Sequence, residues 1–281
     1  MTDKIKRLEL GTKNQITWCP GCPNFMVLQA VKNTFAKLVN EGYKQEGFAM
    51  ATGIGCHQKI YDYLNISGIY GLHGRVVPIC LGMKLGNPNL HVIGFAGDGD
   101  AYAEGIEHLI HAGRFNPDMV YVVGNNQNFA LTTGQPTPVS QQGYKSKAEP
   151  LGEFNKPINP IKIALASGIS FVARCNAKDI VHTSEILEKA IKHKGFAFVE
   201  IMVDCIVFNL ESSFRNHETY KVENGKDMKK AFELADEWDY NKKQGKVPVG
   251  IFYQEEKPIL EEEWPQLKKL LDKKVGWKGL K

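Results

Sequence analysis

Short apolar segments alternate with helix-like segments along most of the chain, and this alternation restricts the fold more than any other feature. The apolar segments are rich in β-branched and aromatic residues and are predicted as strands, at 48–55, 91–97, 119–125, 171–175 and 196–203. Their nearly continuous apolar character is typical of strands buried on both faces of a sheet. Apolar residues at helical spacing lie between them, at 24–39, 102–113 and 178–193. Strand and helix in alternation predict an α/β fold with a parallel sheet.

Two regions break this alternation. Residues 127–160 contain five prolines and almost no periodicity. A loop of this length inside a compact domain is usually functional. After residue 208 the pattern becomes polar and helical. We therefore predict a sheet domain at 1–208 and a helical C-terminal extension at 209–281.

The predicted extension contains two amphipathic helical stretches, at 227–243 and 259–274. An apolar stripe at helical spacing runs along the second stretch, and its members are Leu260, Trp264, Leu267 and Leu271. Such a stripe is typical of a face that docks on the domain or on a partner. We expect no catalytic role for it.

Composition excludes several classes of function. The net charge of +4 is too small to indicate a nucleic-acid-binding protein, and no stripe of Arg with interleaved aromatics is present. No apolar run approaches the roughly 20 residues of a membrane helix, and residues 1–10 contain no apolar signal core. We therefore predict a cytoplasmic protein whose six cysteines are reduced thiols, some of them metal ligands.

Acidic and amide side chains follow two neighbouring predicted strands. The strand at 91–97 runs into Gly97-Asp98-Gly99-Asp100, and the next strand ends in Asn125-Asn126. Open parallel sheets bind ligands at the carboxyl ends of their strands, so Asp98 and Asn126 are expected in one coordination sphere. Carboxylate and amide oxygens suit Mg²⁺, which usually takes phosphate oxygens as well. Glycines and a helix starting near Ala101 would admit an anion, so a magnesium diphosphate ligand accounts for the whole pattern.

A turn with Asp100 as the N-cap of the following helix is the simpler interpretation of the acid pair taken alone. The combination with the asparagine pair is more specific, because 25 residues lie between Gly99 and Asn125. This spacing resembles the thiamine diphosphate signature. In that signature the Asp and the second Asn bind Mg²⁺, and a backbone carbonyl two residues later, here that of Asn128, completes the protein ligands.

The cysteines fall into two groups. Four lie at predicted strand ends or helix starts and could converge: Cys19, Cys22, Cys56 and Cys205. Four thiolates suit a 4Fe–4S cluster, although Cys19-x-x-Cys22 alone leaves zinc and a redox dithiol open. Cys80 and Cys175 sit among apolar residues and are predicted to be buried and inert.

The order of the motifs supports a family assignment. A late cysteine, Cys205, follows a series of short motifs. In chain order these are Cys-Pro-Gly-Cys at 19–22, Gly-Ile-Gly-Cys at 53–56, Leu-His-Gly-Arg at 72–75, Gly-Asp-Gly-Asp at 97–100, Asn-Asn at 125–126 and Leu-Thr-Thr-Gly-Gln at 131–135. Over residues 16–210 the chain resembles the β subunit of a 2-oxoacid:ferredoxin oxidoreductase. The resemblance implies a thiamine-diphosphate-binding fold.

The resemblance also implies a role for each matching position. It makes Cys19, Cys22, Cys56 and Cys205 the ligands of a 4Fe–4S cluster. Mg²⁺ would be held by Asp98, Asn126 and the carbonyl of Asn128. The thiamine diphosphate would be lined by Ile54, Gly55, Cys56, His57, Gly99, Asp100, Ala130 and Leu131. His73, as the catalytic and substrate-binding residue, and Arg75 would lie near the carboxylate of the 2-oxoacid.

The chain departs from the family pattern at Pro23, His57, Phe129, Ala130 and Asp204. None of these changes removes a predicted ligand, but they bear on the substrate pocket and on the cluster potential, because surrounding groups tune both.

The implied reaction is oxidative decarboxylation of a 2-oxoacid with coenzyme A to acyl-CoA and CO₂, with electrons passed through the cluster to ferredoxin. The family supplies the other half of the cofactor site from an α subunit, so an obligate α–β partnership is expected. Two alternatives stay open: a non-redox thiamine diphosphate 2-oxoacid decarboxylase subunit, and a zinc-stapled binding subunit without chemistry.

Overall fold

The computed structural model describes residues 9–215, 217–241 and 245–280. Its strands are β1 (Phe48–Thr52), β2 (Ser67–Tyr70), β3 (His91–Gly97), β4 (Met119–Asn125), β5 (Phe171–Asn176), β6 (Phe196–Met202), β7 (Glu218–Glu223) and β8 (Lys246–Gln254). Its α-helices are α1 (Asn24–Asn40), α2 (Val76–Gly86), α3 (Ile106–Phe115), α4 (Pro160–Ala166), α5 (Ile180–Lys192), α6 (Met228–Asp236), α7 (Leu260–Glu263) and α8 (Pro265–Lys273).

All these strands belong to one sheet, in the order β2-β1-β3-β4-β6-β5-β8-β7. The six strands from β2 to β5 pair in parallel, whereas β8 runs antiparallel to β5. Every residue of β4 and β6 is buried, as the apolar runs of these strands predict. The predicted α/β fold with a parallel sheet is confirmed.

Helices cover both faces of the sheet. α1 and α5 pack on one face around a core that includes Val31, Phe35 and Ile186. α2, α3, α4 and α6 pack on the other face, around Leu109, Ile161 and the residues near them. No helix in the described ranges is both long and apolar enough to cross a bilayer.

The predicted loop at 127–160 is confirmed, since only one short 3₁₀ turn, Ala130–Thr132, interrupts it before α4. The predicted helix at 102–113 is partly wrong. Residues Gly99–Ala103 form a π-helical turn, and α3 begins only at Ile106. Glycine at 105 separates the two pieces, so the chain changes direction directly after the acidic turn.

The C-terminal extension is helical as predicted, but it also adds β7 and β8 to the sheet. β7 is a polar edge strand, and β8 carries Pro248 and Gly250, which weaken a strand signal. Gly250 has φ +125°, and a Cβ there would lie 2.0 Å from the Val222 carbonyl oxygen. The division at residue 208 stays a prediction. Positions 1–8, where no signal core is expected, and positions 242 and 243 of the first predicted helix lie outside the described residues.

The apolar stripe of the last helix is shifted from its predicted position. Pro265 starts a new helix, so the stretch divides into α7 and α8 at Trp264, whose side chain is 50% exposed. Leu267 and Leu270 are the fully buried residues. The Asn89 side chain donates to the Leu270 carbonyl at 3.4 Å, which ties α8 to the loop after α2. Docking of this helix on the domain is therefore confirmed at Leu267, whereas the predicted Trp264 is half exposed and Leu270 is buried in addition.

Replacement of Leu270 by Ala tests this register. Removal of a fully buried leucine side chain should lower the free energy of unfolding by about 2–4 kcal/mol. Trp264→Ala is the matched control and should change it by about 0.5 kcal/mol or less, because the ring is half exposed. Urea denaturation of both variants measures the difference, and equal losses would contradict the register.

Candidate active site

A cavity opens at the carboxyl ends of β1, β3 and β4. The cavity is lined by all the residues predicted to contact thiamine diphosphate and Mg²⁺: Ile54, Gly55, Cys56, His57, Asp98, Gly99, Asp100, Ala130, Leu131, Asn126 and Asn128. His73 also lines it, whereas Arg75 does not. The position agrees with the rule that parallel sheets bind ligands at this edge.

Asp98 is a buried carboxylate of this cavity. Gly97 of β3 pairs in register with Gly124 of β4, so the turns that follow the two strands lie side by side. The Asn126 backbone N–H donates to Asp98 Oδ1 at 3.4 Å, and the Thr137 hydroxyl donates to Oδ2 at 2.6 Å. Burial raises the pKa of Asp98 to about 7 despite these two hydrogen bonds, which lower it. No lysine or arginine pairs with Asp98 within the described part of the chain, so a bound cation would supply the missing countercharge.

The turn after β4 is fixed by its own side chains. Asn126 Oδ1 accepts from the Asn128 N–H at 3.1 Å, and Asn128 Nδ2 donates to the Asn126 carbonyl at 3.2 Å. Gln127 between them has φ +56°. The Asn128 carbonyl accepts from the Ala130 N–H at 3.0 Å, whereas Asn128 Oδ1 is buried with no partner. The unpartnered Oδ1 of Asn128 and the buried carboxylate of Asp98 are hard oxygen donors of the kind that fits Mg²⁺.

The Asp100 carboxylate holds the loop that carries His73. Its Oδ1 accepts from the Gly74 N–H at 2.6 Å, and its Oδ2 accepts from Gln58 Nε2 at 3.0 Å. The interpretation of Asp100 as the N-cap of α3 is wrong, because Gly105 occupies that position. Asp100 is instead buried in the π-helical turn, with its carboxylate reaching across to the loop.

His73 and Arg75 lie in different surroundings. His73 Nδ1 lies 3.2 Å from Asp100 Oδ1, and one third of its side chain is exposed beside the cavity. Arg75 Nη1 donates to the Glu104 carbonyl at 3.0 Å and lies 3.6 Å from Glu107, on the surface of α3. The structure therefore brings His73 to the cavity and pairs Arg75 with a neighbouring helix.

Four cysteines line a second cavity: Cys19, Cys22, Cys56 and Cys205. Burial, together with the neighbouring thiols, raises the pKa of Cys56 to about 12, and burial raises that of Cys22. Such groups ionise readily only when a metal balances their charge. The Phe208 N–H points at Cys205 Sγ at 3.3 Å. The other two cysteines, Cys80 and Cys175, are buried in the core as predicted.

Two kinds of metal centre are held by four thiolates, a single zinc ion and a 4Fe–4S cluster. A zinc site needs its ligands at about 2.3 Å from one point. Among the residues that the structure describes, no group of three His, Cys, Asp or Glu side chains is arranged to hold one metal ion. A 4Fe–4S cluster is held by four thiolates that bind different iron atoms.

The two cavities are neighbours with a common wall. Cys56, Asn126, Ala130 and Leu131 line both of them. Cys56 follows β1 and Asn126 follows β4, with β3 between these two strands, so both sites lie at the same edge of one sheet.

Several site residues carry no signal in the sequence. Thr137 reaches Asp98 from the proline-rich loop, 39 positions away, and Gln58 reaches Asp100 from the turn after Cys56. Asn24 Oδ1 lies 2.9 Å from His57 Nδ1, and burial lowers the pKa of His57 to about 4 and so keeps it neutral. Only the folded chain brings these pairs together. Gln58 is the one of these residues that the sequence comes closest to predicting, since it lies two positions after the predicted ligand Cys56.

Comparison with known proteins identifies the family. Residues 53–201 match the model of the thiamine pyrophosphate enzyme C-terminal TPP-binding domain, and residues 205–269 match that of the C-terminal region of the pyruvate ferredoxin oxidoreductase β subunit. The chain is 36% identical to the 2-oxoacid:ferredoxin oxidoreductase β subunit of Saccharolobus solfataricus over 85% of its own length and 82% of the relative. The chain belongs to the 2-oxoacid:ferredoxin oxidoreductase β-subunit family. This β subunit is therefore part of an oxidoreductase and has a thiamine-diphosphate-binding fold.

Further relatives agree with this assignment. The β subunit is 33% identical to the 2-oxoglutarate synthase subunit KorB of Methanocaldococcus jannaschii, over 91% of this chain and 93% of the relative. Among solved structures, it resembles a chain of the 2-oxoglutarate:ferredoxin oxidoreductase from Magnetococcus marinus with a TM-score of 0.86. That match has 28% sequence identity and covers 96% of this chain and 92% of the other.

Gly53→Ala tests the role of the Asp100 carboxylate in holding this loop. A Cβ at position 53 would lie 2.0 Å from Asp100 Oδ2, so the carboxylate must leave Gly74 and Gln58. We expect a loss of about 1–3 kcal/mol in the free energy of unfolding, the range for broken buried polar networks. Gly82→Ala, inside α2 with no atom within 4 Å of the new Cβ, should be neutral or slightly stabilising. Thermal unfolding compares the two, and equal midpoints would contradict the assignment.

Proposed function

We propose that this β subunit binds thiamine diphosphate through Mg²⁺ and carries a 4Fe–4S cluster beside it, and that with an α subunit it oxidatively decarboxylates a 2-oxoacid in the presence of coenzyme A. Ferredoxin is the proposed electron acceptor. The observation that carries the proposal is the common wall of the two cavities, one lined by a hard oxygen set and the other by four thiols. Neither site alone distinguishes this reaction from a simple decarboxylation.

The magnesium proposal rests on the buried oxygens. Asp98 and Asn126 supply side-chain ligands, and Asn128 supplies its carbonyl, as the family signature implies. The unpartnered Oδ1 of Asn128 gives the same residue a second oxygen next to the cavity. These few hard donors leave coordination positions for diphosphate oxygens, which is the usual way that Mg²⁺ binds.

The proposed cofactor contacts lie on the remaining wall, at Ile54 to His57, Gly99, Asp100, Ala130 and Leu131. Gly99 lets the backbone and the Phe129 ring approach each other, because a Cβ there would lie 2.1 Å from Phe129 Cε1. Bound thiamine diphosphate supplies the electron sink that decarboxylation of a 2-oxoacid requires. The chain itself positions the diphosphate and excludes water from one side of it.

Cys19, Cys22, Cys56 and Cys205 are the proposed cluster ligands. The cluster would accept electrons one at a time, which matches a one-electron carrier such as ferredoxin. A cluster held by these thiols would lie next to the cofactor cavity, since Cys56 lines both spaces.

His73 is the proposed contact for the carboxylate of the substrate and a candidate catalytic residue. Its Nδ1 atom lies 3.2 Å from Asp100 Oδ1, and the residue lines the cavity. The corresponding role for Arg75 stays a prediction, since its guanidinium lies on α3.

The substrate is proposed as a 2-oxoacid, and the site is proposed to be completed by an α subunit. The solved relative is described with 2-oxoglutarate, coenzyme A and succinyl-CoA bound, and several relatives are named 2-oxoglutarate synthase subunits. Apolar side chains are exposed around the cavity: Ile54, Leu72 and Leu131. We propose that these side chains are covered by the α subunit. A cytoplasmic location and an extension that begins at residue 209 remain proposals of the same kind.

Anaerobic purification of the chain with its partner subunit tests the function. The complex should contain about four iron atoms and one thiamine diphosphate per β subunit. It should reduce a viologen dye with a 2-oxoacid from a panel including 2-oxoglutarate and pyruvate, and only when coenzyme A is added. Turnover without iron would support the non-redox decarboxylase, and zinc in place of iron without bound thiamine diphosphate would support the zinc-stapled subunit.

Asp98→Asn should release the cofactor and leave the cluster in place. The change removes the charged ligand, so the Mg²⁺ affinity should fall by more than the 10–100-fold typical of changes in outer-shell partners. Iron content and the visible absorption of the cluster should stay at wild-type values. Joint loss of cofactor and iron would show that the turn is structural.

Cys205→Ser tests the opposite half of the proposal. Serine is a poor ligand for iron, so the variant should lose most of its iron while thiamine diphosphate stays bound in the presence of Mg²⁺. Cys175→Ser is the matched control, because this thiol is fully buried in the core away from both cavities. Equal iron content in the two variants would exclude Cys205 as a ligand.

A further inference from the structure

A buried ion pair lies beneath the proposed metal site. Arg174 of β5 and Glu200 of β6 are direct neighbours in the sheet register, and both side chains are fully buried. Arg174 Nε donates to Glu200 Oε2 at 2.9 Å. Removing two charges from water often costs more than their attraction returns, so stability alone is a weak reason for such a pair. Other contacts of Glu200 suggest what the pair does.

The Glu200 carboxylate accepts hydrogen bonds from four donors. Its Oε2 accepts from Arg174 and from the Tyr240 hydroxyl, the latter at 2.6 Å. Its Oε1 accepts from Asn125 Nδ2 at 2.9 Å and from the Tyr102 hydroxyl at 3.2 Å. An ionised carboxylate can accept about four hydrogen bonds and donate none, so this group is fully used. No other side chain of this size could accept from all four.

The contact with Asn125 sets the direction of its amide group. Because Nδ2 donates to Glu200, the Oδ1 atom must face the other way, where it accepts from the Gln127 N–H at 3.0 Å. Gln127 stands between Asn126 and Asn128 with φ +56°. The orientation of one amide therefore links the ion pair to the turn that bears the proposed magnesium ligands.

The C-terminal extension holds the same turn from the other side. Gln127 Nε2 donates to the Tyr240 carbonyl at 2.9 Å and to the Val139 carbonyl at 2.6 Å, and its Oε1 accepts from the Ser213 N–H at 2.8 Å. Tyr240 thus contacts Glu200 through its hydroxyl and Gln127 through its backbone. The turn is bound to the extension and to the ion pair at once.

We infer that Glu200 is a positioning residue for the magnesium-binding turn, with Arg174 as its countercharge and Tyr240 as the link to the extension. The inference rests on the proposed function, because it requires Mg²⁺ at Asp98 and Asn126. The residue acts through Asn125 and touches neither the proposed metal nor the cofactor cavity. Its carboxylate selects the one orientation of the Asn125 amide that supports the positive φ of Gln127.

Glu200→Gln tests the inference with almost no change in shape. The new amide must place an NH₂ group where an oxygen accepted two bonds. If this NH₂ group faces Asn125, it meets Asn125 Nδ2, and two donors then oppose each other. The Asn125 amide must rotate by half a turn, and its Oδ1 atom then no longer accepts from the Gln127 N–H. The Mg²⁺ dissociation constant at saturating thiamine diphosphate should then rise by about tenfold, the lower end for partners that orient a ligand.

The double variant Glu200→Gln with Asn125→Asp separates positioning from stability. The new amide can now donate to the new carboxylate, whose second oxygen can still accept from the Gln127 N–H. The exchange also keeps one negative charge in the buried hydrogen-bond network that contains Arg174. We expect the dissociation constant of the double variant to return to within about threefold of the wild type, whereas a merely structural pair would give no such rescue.

Ser170→Ala is the matched control, because Ser170 lies at the edge of the sheet opposite the proposed metal site. Ser170 is fully buried and donates to Asn116 Oδ1 at 2.7 Å, just before β5 begins. Its loss should lower the unfolding temperature and leave the Mg²⁺ affinity unchanged. If Glu200→Gln lowers the unfolding temperature by the same amount as Ser170→Ala, this loss of stability does not account for weaker Mg²⁺ binding.

The measurement uses the anaerobically purified complex with its partner subunit, freed of Mg²⁺ and thiamine diphosphate by chelation and dialysis. Calorimetric titration with Mg²⁺ gives the affinity, and iron analysis verifies the cluster. Weaker binding in Glu200→Gln with rescue in the double variant supports the inference; unchanged binding, or weaker binding without rescue, overturns it.

If Glu200→Gln does not assemble, Tyr240→Phe replaces it and should weaken binding by about threefold; unchanged binding there overturns the inference. Unchanged binding in Asp98→Asn would instead overturn the proposed function.

Discussion

The carboxylate of Asp98 is withdrawn from water at the edge of the sheet, where two hydrogen bonds reach it but no lysine or arginine of the described ranges pairs with it. Burying an unpaired charge is among the most costly features that a fold can contain. The pKa of Asp98, raised to about 7 by burial, expresses this cost. The divalent cation proposed at this point would remove it. Asn126 and Asn128 of the neighbouring turn line the same cavity as Asp98.

Four strand ends of one sheet build both proposed sites. β1 leads to Cys56, β3 to Asp98, β4 to Asn126 and β6 to Cys205. Because the strands are parallel, all four turns emerge on the same edge, and the cofactor cavity and the thiol-lined cavity share a wall. A reaction that removes electrons from a bound intermediate needs the electron acceptor close by. The parallel topology supplies this proximity without a second domain in this chain.

Sequence patterns predicted the buried strands that contain no proline, and missed the edge strands β2 and β7 and the proline-containing strand β8. β4 is found at the predicted residues 119–125, because its apolar run reflects complete burial. β2 and β7 are short or polar edge strands, and β8 contains proline and glycine, so none of them shows the same pattern. The ligand candidates were predictable because they stand in compact motifs.

The groups that orient those candidates were not predictable, because each comes from a distant part of the chain. Thr137 reaches Asp98 from the long loop, and Glu200 reaches Asn125 from a strand 75 positions later. A single acid in an apolar strand gives no sign of its partners. Hydrogen-bond direction, which decides how the Asn125 amide points, is visible only when donors and acceptors are placed together.

Magnetic coupling between the two sites tests the central claim, that a metal at Asp98 and a cluster on the four thiols are immediate neighbours. Mn²⁺ accepts the same oxygen ligands as Mg²⁺ and is paramagnetic. In the complex reduced with dithionite, we predict that Mn²⁺ with thiamine diphosphate accelerates the spin relaxation of the cluster, and that Asp98→Asn abolishes this effect. A cluster signal that is the same with Mn²⁺ and with Mg²⁺ would contradict the account.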